Sequence, residues 1–262
     1  MNEQTGKGLD IEGLYHAQLM QLQADNQKDR YDDMNQWHHA SGCGTCYKKH
    51  YWNNVSADQM PKEPRNMRLL RLGDLVHGDV QDAIMKQKKD TDEITIEEEI
   101  RIPSLGVRGH LDIKHIDHET KIITIYDIKT MATRSWSGRF GHIKNRDTDA
   151  VKFYEMQLAT YLMGILPKHP GYGGRMVLWF YKKDDSYVRV VQIDDSYLIS
   201  ALQYWKEVNR LLPTLHLSIP AVDMGVPQVK WECNYCSYMH ICGSPFTKPE
   251  LIKDYVTPTL GI

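Results

Sequence analysis

The chain has 262 residues, 41% hydrophobic and 25% charged, with a formal net charge of −2, values typical of a globular protein with a sizeable core. The longest apolar or aromatic run covers residues 176–181, which is too short to cross a bilayer, and the polar first seven residues lack the apolar stretch of a signal peptide. We therefore expect a cytoplasmic protein with no membrane partner, whereas the net charge neither favours nor excludes a nucleic acid.

Helices are predicted for the first third of the chain. Residues 12–40 carry apolar and aromatic residues at irregular helical spacing, and residues 66–89 place several apolar residues roughly on one face. Glycines indicate a turn or the start of a helix at residues 41–47. Pro61 and Pro64 indicate a loop before the second long helix.

A β-meander is predicted next. Its β-prone segments cover residues 94–96, 99–102, 107–116 and 121–128. Residues 117–120 suit the hairpin loop between the last two segments. The following segments are predicted to be a helix at 150–166, strands at 175–181 and 187–193, and a helix from Asp194 or Asp195 to about Leu212.

The order of these elements indicates one α/β domain with a mixed sheet and a helical N-terminal arm. We divide this domain into an arm (1–65), a core (66–212) and a C-terminal segment (213–262) that is rich in Cys, Pro and Gly and irregular beyond residue 220.

The charges are unevenly distributed. Residues 44–71 and 129–152 each contain six basic and two acidic residues, whereas residues 90–99 contain six acidic residues and no basic one. Basic stretches suit a polyanionic substrate. The alternative is that they are ordinary solvated surfaces.

Two aspartates and a lysine occupy neighbouring strands of the predicted meander. If its loop turns on residues 118–119, Asp112 lies opposite Ile125 and diagonally beside Asp127 on one face. Lys129 follows Asp127 by two residues and shares its face. This inference depends on loop length, because a slip of one residue would put the two carboxylates on opposite faces.

Such a cluster has a clear chemical use. Carboxylate oxygens bind Mg²⁺ or Mn²⁺, which stabilises charge on a phosphate and acidifies a bound water. A lysine beside the ion can hold the attacking water. The pattern therefore indicates a metal-dependent phosphodiester hydrolase, and the alternative is an ordinary surface hairpin.

Four short motifs follow one another along the chain. They are Gly-x-x-x-His ending at His77, Gly-x-x-Asp ending at Asp112, Asp-x-Lys at residues 127–129, and Gln-x-x-x-Tyr from Gln157 to Tyr161. In this order they resemble the motifs of RecB-type nucleases of the PD-(D/E)XK superfamily. The resemblance implies a restriction-endonuclease-like core, in which helices flank a mixed central sheet.

The resemblance also implies roles for individual residues. The implied metal ligands are His77, Asp112, Asp127 and the backbone carbonyl of Ile128. Lys129 would be the catalytic lysine, and Gln157 and Tyr161 would position that lysine or a DNA strand. Glu99 is a candidate for one further carboxylate, with a solvated position as the alternative.

The five cysteines suggest a second metal centre. In a cytoplasmic chain, Cys-x-x-Cys pairs usually bind metal rather than form disulfides. One interpretation is a four-thiolate zinc site made of Cys43, Cys46, Cys233 and Cys236.

The other interpretation takes Cys46, Cys233, Cys236 and Cys242 as ligands of a 4Fe-4S cluster. This pattern resembles AddB-type proteins and CRISPR-associated RecB-like nucleases, and it leaves Cys43 as a spare thiol. The cluster would be structural and would join two distant segments of the chain.

A long basic segment connects the Asp-x-Lys motif to Gln157. It suits a DNA-gripping loop, with rings for base stacking and cations for phosphates, and a passive loop is the alternative. The candidate DNA-binding residues are Arg134, Trp136, Arg139, Lys144 and Arg146.

These observations predict a metal-dependent DNA nuclease, most simply an exonuclease that acts on single strands or duplex ends. It would work alone or as a homo-oligomer, or with partners in recombination, CRISPR adaptation or viral DNA processing. The alternatives are a catalytically silent nucleic-acid-binding or assembly module and a zinc-containing interaction protein.

Overall fold

The structure is a computed structural model that describes residues 10–34, 37–141, 152–214 and 230–252. The helices within these ranges are α1 (Ile11–Met34), α2 (Tyr47–Asn54), α3 (Pro64–Gln87), α4 (Thr133–Phe140), α5 (Lys152–Ile165), α6 (Ser196–Leu211) and α7 (Met239–Cys242). The strands are β1 (His38–His39), β2 (Glu93–Ile102), β3 (Val107–Asp117), β4 (Ile122–Met131), β5 (Gly173–Lys182) and β6 (Val188–Ile193).

The strands form one mixed sheet centred on β3 and β4. β3 pairs antiparallel with β2 along one edge, and its other edge is shared by β1, in parallel, and β4, in antiparallel. β4 pairs in parallel with β5, and β5 antiparallel with β6. The parallel pair requires a crossover connection, which contains α4 and α5. The predicted α/β class, with helices flanking a mixed sheet, is therefore confirmed.

Helix α5 lies between the sheet and α6 and is buried along most of its length. Its Leu158 packs with Ile125 and Phe180 of the sheet in one hydrophobic core. Trp205 of α6 is fully buried and donates its indole N–H to Thr160 Oγ1 at 2.9 Å. This packing holds α5, the helix of the Gln-x-x-x-Tyr motif, in one position on the sheet.

Helix α3 approaches the sheet from the face opposite α5. The side chain of Lys129 meets α5, so that of the next residue, Thr130, points to the other face. A Cβ atom added at Gly73 of α3 would lie only 3.1 Å from Thr130 Oγ1. The glycine of the Gly-x-x-x-His motif therefore lets α3 come close to β4.

The segment after residue 230 packs against the region before α3. Met60 donates its backbone N–H to the carbonyl of Ser237 at 2.9 Å. The Tyr238 hydroxyl donates to Asn53 Oδ1 and accepts from Gln59 Nε2 at 2.8 Å. Two parts of the chain that are far apart in sequence therefore form one surface.

Most predicted elements are present near their predicted bounds. The helix predicted at 66–89 is α3, which begins earlier because Pro64 fits the first helical turn, where no amide donor is needed. Residues 93–102 form one continuous strand instead of two. Helix α4 was not predicted as a helix. No helix in the described part of the chain is long and apolar enough to cross a membrane.

Candidate active site

The site lies where β3 and β4 separate. Their pairing ends at Ile113 and Tyr126. Beyond this rung Asp112 Oδ2 accepts a hydrogen bond from the backbone N–H of Ile128 at 2.6 Å. A side chain thus takes the place of the next ladder bond, and a gap opens between the two strands.

The register of this hairpin differs from the predicted one. Asp117 pairs with Ile122, so the loop has four residues rather than two. The reason is that Asp117 Oδ1 accepts hydrogen bonds from the backbone N–H groups of Glu119 and Thr120, at 2.9 and 3.0 Å, and stabilises the longer loop.

Because the pairing shifts by two residues, an even number, each side chain keeps its predicted face. Lys114, not Asp112, lies opposite Ile125. Continuing the observed register by one rung puts Asp112 directly opposite Asp127. Asp112 and Asp127 therefore occupy opposing positions on the two strands, just where the strands separate.

Glu97 of β2 was not predicted as a site residue. The pairing of β2 with β3 includes the rungs Ile96–Ile113 and Glu98–Leu111 but skips Glu97 and Asp112. Glu97 has φ 50°, in the left-handed region. Such interruptions bend a strand and redirect side chains, and they occur often beside active sites.

The core-facing pattern of β3 changes phase at this point. Val107 and Leu111 belong to the core before Asp112, and Ile116 belongs to it afterwards. Asp112 is buried, as are Leu111 before it and Ile113 after it, because β3 is covered on both faces here. No local sequence pattern marks this change, because it depends on how two strands pair.

The other candidate carboxylate, Glu99, lies apart from these residues. It pairs with His110 across the strands, and its Oε1 is 2.9 Å from an amino group of Arg101. This ion pair agrees with the solvated alternative for Glu99.

Helix α3 brings a histidine and a glutamine to the gap. His77 Nδ1 is 3.5 Å from Asp112 Oδ2. One turn later, Gln81 donates from Nε2 to Glu97 Oε1 at 2.6 Å and to the backbone carbonyl of Asp112 at 3.2 Å. Burial, followed by the Lys129 ammonium, lowers the pKa of His77, which keeps the imidazole neutral near pH 7.

Lys129 is held by three groups. Its Nζ lies 2.6 Å from Asp127 Oδ2, donates to Gln157 Oε1 at 3.0 Å, and is 4.9 Å from the ring centre of Tyr154. Gln157 Nε2 in turn donates to the Tyr161 hydroxyl at 3.2 Å and to Asp127 Oδ1 at 3.4 Å. The motif residues on α5 therefore fix the position of the lysine amine.

The glycine of the Gly-x-x-Asp motif makes room for this network. A Cβ atom added at Gly109 would lie 2.9 Å from the Tyr161 hydroxyl and ring. Such a distance requires one of the two to move. The glycine thus permits close packing of the tyrosine on β3.

The two aspartates and the lysine influence one another strongly. Burial, and next the charge of Asp127, raise the pKa of Asp112 to about 8. Burial alone would lower the pKa of Lys129, but the Asp127 and Asp112 carboxylates outweigh it, and the pKa is raised. Lys129 therefore stays charged, whereas Asp112 takes up a proton below about pH 8.

The donor types present suit a hard divalent cation: two carboxylates, a neutral imidazole and the backbone carbonyl of Ile128. Among the residues that the structure describes, no group of three or more His, Cys, Asp or Glu side chains already surrounds a single point. Here the reason is that Asp127 is bound to Lys129 and Asp112 to the Ile128 amide. A cation would therefore compete with these contacts.

Three of the candidate DNA-binding residues lie in the described part of the chain, on helix α4. Arg134 is exposed, and Trp136 is half-buried against Phe140, with ring centres 4.8 Å apart. Arg139 is half-buried: it pairs with Glu155 of α5 and lies 4.6 Å above the Phe180 ring. Arg139 thus fastens α4 to the core, and a contact with DNA would require this pair to open. Lys144 and Arg146 lie outside the described residues.

The cysteines fall into two groups, and all five are free thiols. One small cavity is lined by Cys46, Cys233, Cys236 and Cys242. Cys43 lies elsewhere, in the hydrophobic core beside Thr160. The four cysteines of the cluster interpretation therefore share a cavity, and the four of the zinc interpretation do not.

Two polar contacts involve the cysteines of the cavity directly. Cys46 donates its backbone N–H to Glu232 Oε1 at 3.1 Å, and Cys233 Sγ lies 3.1 Å from Ser244 Oγ. Burial raises the pKa of Cys46 to about 12 and that of Cys236 to about 11. The thiols are thus protonated at neutral pH unless a metal replaces the protons.

The PD-(D/E)XK nuclease superfamily matches this chain over residues 76–243. The chain belongs to this superfamily, whose members usually use Mg²⁺ or Mn²⁺ and act on nucleic acids. A comparison with curated protein sequences found no match.

Several solved structures are similar to this one. An alkaline exonuclease from Laribacter hongkongensis is 12% identical, with 71% of this chain and 92% of that chain covered and a TM-score of 0.44. A putative exonuclease from Eubacterium rectale is 14% identical, with 71% and 83% covered and a TM-score of 0.46. The protein SSO0001 is 14% identical, with 80% and 87% covered and a TM-score of 0.44.

Proposed function

We propose that this chain is a divalent-metal-dependent deoxyribonuclease that acts as an exonuclease on single-stranded DNA or duplex ends. The observation that carries the proposal is the meeting of His77, Asp112, Asp127 and Lys129 in the gap between β3 and β4. A neutral imidazole, two carboxylates and an ammonium are the groups that metal-assisted phosphodiester hydrolysis needs. The preference for DNA and for ends rests on the resemblance of the four motifs to RecB-type nucleases.

In this proposal, Mg²⁺ or Mn²⁺ is held by His77, Asp112, Asp127 and the backbone carbonyl of Ile128. When bound, the ion stabilises charge on the scissile phosphate and acidifies a bound water. Binding of such an ion would depend on pH, because it would have to displace the proton that burial and the Asp127 charge favour on Asp112.

Lys129 has two tasks in the reaction. Its ammonium holds the attacking water and offsets the negative charge that develops on the phosphate. The raised pKa of Lys129 keeps the group charged through the reaction. Its attachment to Asp127 ties it to a proposed metal ligand, so that water and cation are held on the same framework.

Gln157 and Tyr161 act on Lys129 rather than on the substrate. Gln157 accepts from the lysine through Oε1 and donates to Tyr161 through Nε2, so its amide orientation is set at both ends. Because α5 is packed firmly between the sheet and α6, this orientation is fixed before substrate arrives.

We further propose that Cys46, Cys233, Cys236 and Cys242 hold a structural 4Fe-4S cluster. The shared cavity supports this assignment, as does the separate position of Cys43. A single zinc ion requires four sulfur atoms at about 2.3 Å from one point. The zinc interpretation includes Cys43, which lies in the hydrophobic core and not among the residues that line this cavity. A cluster needs instead one sulfur for each of four iron atoms, spread around a cavity.

DNA degradation tests the first proposal. Labelled single-stranded DNA and blunt duplex are incubated with Mn²⁺ and with purified wild type, Asp127→Ala or Glu119→Ala, an exposed loop residue that serves as the control. We expect shortening from the ends with wild type and Glu119→Ala, and none with Asp127→Ala. Equal activity of all three proteins, or none with wild type and Mn²⁺, would contradict the proposal.

Metal analysis tests the cluster. Protein purified without oxygen should contain four iron and four sulfide per chain and absorb visible light. Colourless protein with one zinc per chain would favour the zinc-containing alternative.

A further inference from the structure

Glu97 differs from the other residues with an unusual backbone. Among the described residues, four that are not glycine have positive φ: Ser56, Glu97, Lys121 and Ser186. Ser56, Lys121 and Ser186 lie in turns between elements, where this conformation is ordinary. Glu97 lies within β2, where an L-residue in this region is strained.

The strain coincides with the candidate active site. Glu97 is the residue that β2 leaves unpaired opposite Asp112. A glycine would adopt this conformation without strain, and the chain has a glutamate there instead. The position therefore retains a carboxylate at the expense of local backbone stability.

Helix α3 holds the Glu97 carboxylate in place. Gln81 donates to it at 2.6 Å and, with the same nitrogen, to the Asp112 carbonyl at 3.2 Å. The charge of Glu97 acts on Asp112 and on His77, in both cases favouring the protonated form. The carboxylate thus faces the same gap as the proposed ligands.

The neighbouring acids of β2 are occupied elsewhere. Glu98 forms an ion pair with Lys114, and Glu99 pairs with Arg101. Glu97 is exposed, and its contact is with the neutral amide of Gln81. Of these three successive glutamates, Glu97 is the one whose charge is directed at the gap.

We propose that Glu97 is a further acidic residue of the cation site, directed into the gap by its left-handed backbone and by Gln81, where it increases affinity for a divalent cation. The inference rests on the proposed metal-dependent function. It assigns a role to a residue that none of the four motifs contains.

The test is the binding of Mn²⁺ alone, without DNA, measured by calorimetry on wild type, Glu97→Gln, Glu97→Gly and Asp127→Asn. Glu97→Gln removes the charge but keeps an oxygen that can accept from Gln81. Lys121→Gly is the matched control, because it removes a left-handed side chain in a turn. Thermal melting of each metal-free protein is recorded in parallel.

We expect Glu97→Gln and Glu97→Gly to bind Mn²⁺ at least about ten-fold more weakly than wild type, a loss typical when an outer partner of a metal site is removed. Lys121→Gly should bind as wild type does. If Glu97→Gln melts early and is unfit for titration, Glu97→Gly, which has no strain at this φ, decides the question.

Two results would overturn the inference in distinguishable ways. If wild type binds Mn²⁺, Asp127→Asn does not, and the folded Glu97 variants bind as tightly as wild type, Glu97 has no part in the site and the proposed function stands. If wild type itself binds no Mn²⁺, the proposed function fails and this inference fails with it.

Discussion

The gap between β3 and β4 and the cysteine cavity are both candidate metal centres, but they are built differently. In the gap, each charged group already has a partner in the protein, such as Lys129 for Asp127 and the Ile128 amide for Asp112. In the cavity, four cysteines line one small space, and hydrogen bonds of other groups, such as Cys46 N–H to Glu232 and Met60 N–H to Ser237, join the segments that supply them. The charged groups of the gap are thus paired within the protein, whereas the proposed cluster would add bonds between the two cysteine segments.

This difference predicts that the metal in the gap affects activity and that the metal in the cavity affects stability. The residues of the gap belong to a sheet and helices packed in one core, so the metal there should contribute little to folding. The cavity joins Cys46 to a segment 186 residues away. When a site forms only in the folded state, its binding free energy adds to the folding free energy. We therefore expect loss of the first metal to abolish activity and loss of the second to destabilise the fold.

The largest effect should come from Asp112→Asn. Because the pKa of Asp112 is raised to about 8, an uncharged asparagine resembles the protonated side chain of the metal-free protein at pH 7. We expect DNA cleavage to fall by roughly 100- to 1,000-fold, with an unfolding free energy at pH 7 at least as high as that of wild type, because asparagine cannot ionise in the unfolded state. Cleavage rates and urea unfolding in EDTA measure the two quantities. A variant that is as active as wild type would contradict the proposed ligand role.

The second-largest effect should come from Cys46→Ala, and Cys43→Ala, at a buried cysteine three residues earlier, is its comparison. Cys46→Ala should lose iron and about 3 kcal/mol or more of unfolding free energy, because cluster binding no longer supports the fold. Cys43→Ala, in the core, should keep its iron and lose about 1 kcal/mol, as expected for removal of one buried side-chain atom. Iron content and denaturant unfolding of anaerobic samples measure both. Equal iron in the two variants would show that Cys46 is not a ligand.

The third effect is on the pH dependence of stability in the metal-free protein. The folded pKa of Asp112, about 8, exceeds its unfolded value, so the folded state binds the extra proton. The stability from this group is complete below the ordinary carboxyl pKa of about 4 and is lost as pH rises towards 8. Relative to Asp112→Asn, wild type should lose about 1.4 kcal/mol per pH unit between pH 5 and 7. Parallel curves for the two proteins in EDTA would contradict the buried, protonated state.

The smallest effect should come from Tyr161→Phe. The change removes the hydroxyl that accepts from Gln157 and leaves the packing against Gly109 intact. The loss of one neutral hydrogen bond corresponds to about 1 kcal/mol, so the cleavage rate should fall about five-fold while Mn²⁺ affinity stays unchanged. A weakened Mn²⁺ affinity would mean that Tyr161 supports the metal ligands and not Lys129.

The sequence was sufficient for those parts of the molecule that depend on local pattern. The periodicity of residues 66–89 predicts helix α3, although Leu69 and Leu72 of its apolar face remain exposed. The β-prone residues of β3 and β4 predict these strands, which contribute to the hydrophobic core. The motif residues meet in space although the hairpin register was wrong by two residues. These residues still meet because the register differs by an even number of residues, which leaves every side chain on its predicted face of the sheet.

Other features depend on contacts between distant segments and have no local pattern. The conformation of Glu97 follows from how β2 pairs with β3 around Asp112. In the sequence Arg139 is one of several cations in a basic segment. In the structure it pairs with Glu155, sixteen residues later. A run of acids or bases in a sequence does not reveal which of its members are neutralised by the fold.

The hydrogen bond from Cys46 to Glu232 has a consequence for biosynthesis. Translation proceeds from the N-terminus, and structured regions fold as they emerge from the ribosome. Residues up to α6 can reach their places while the segment after residue 230 is still being added, but one wall of the cysteine cavity is then missing. Under the proposed cluster assignment, iron and sulfide would be installed only after that segment has been synthesised, so cluster insertion would be a late step in the maturation of this protein.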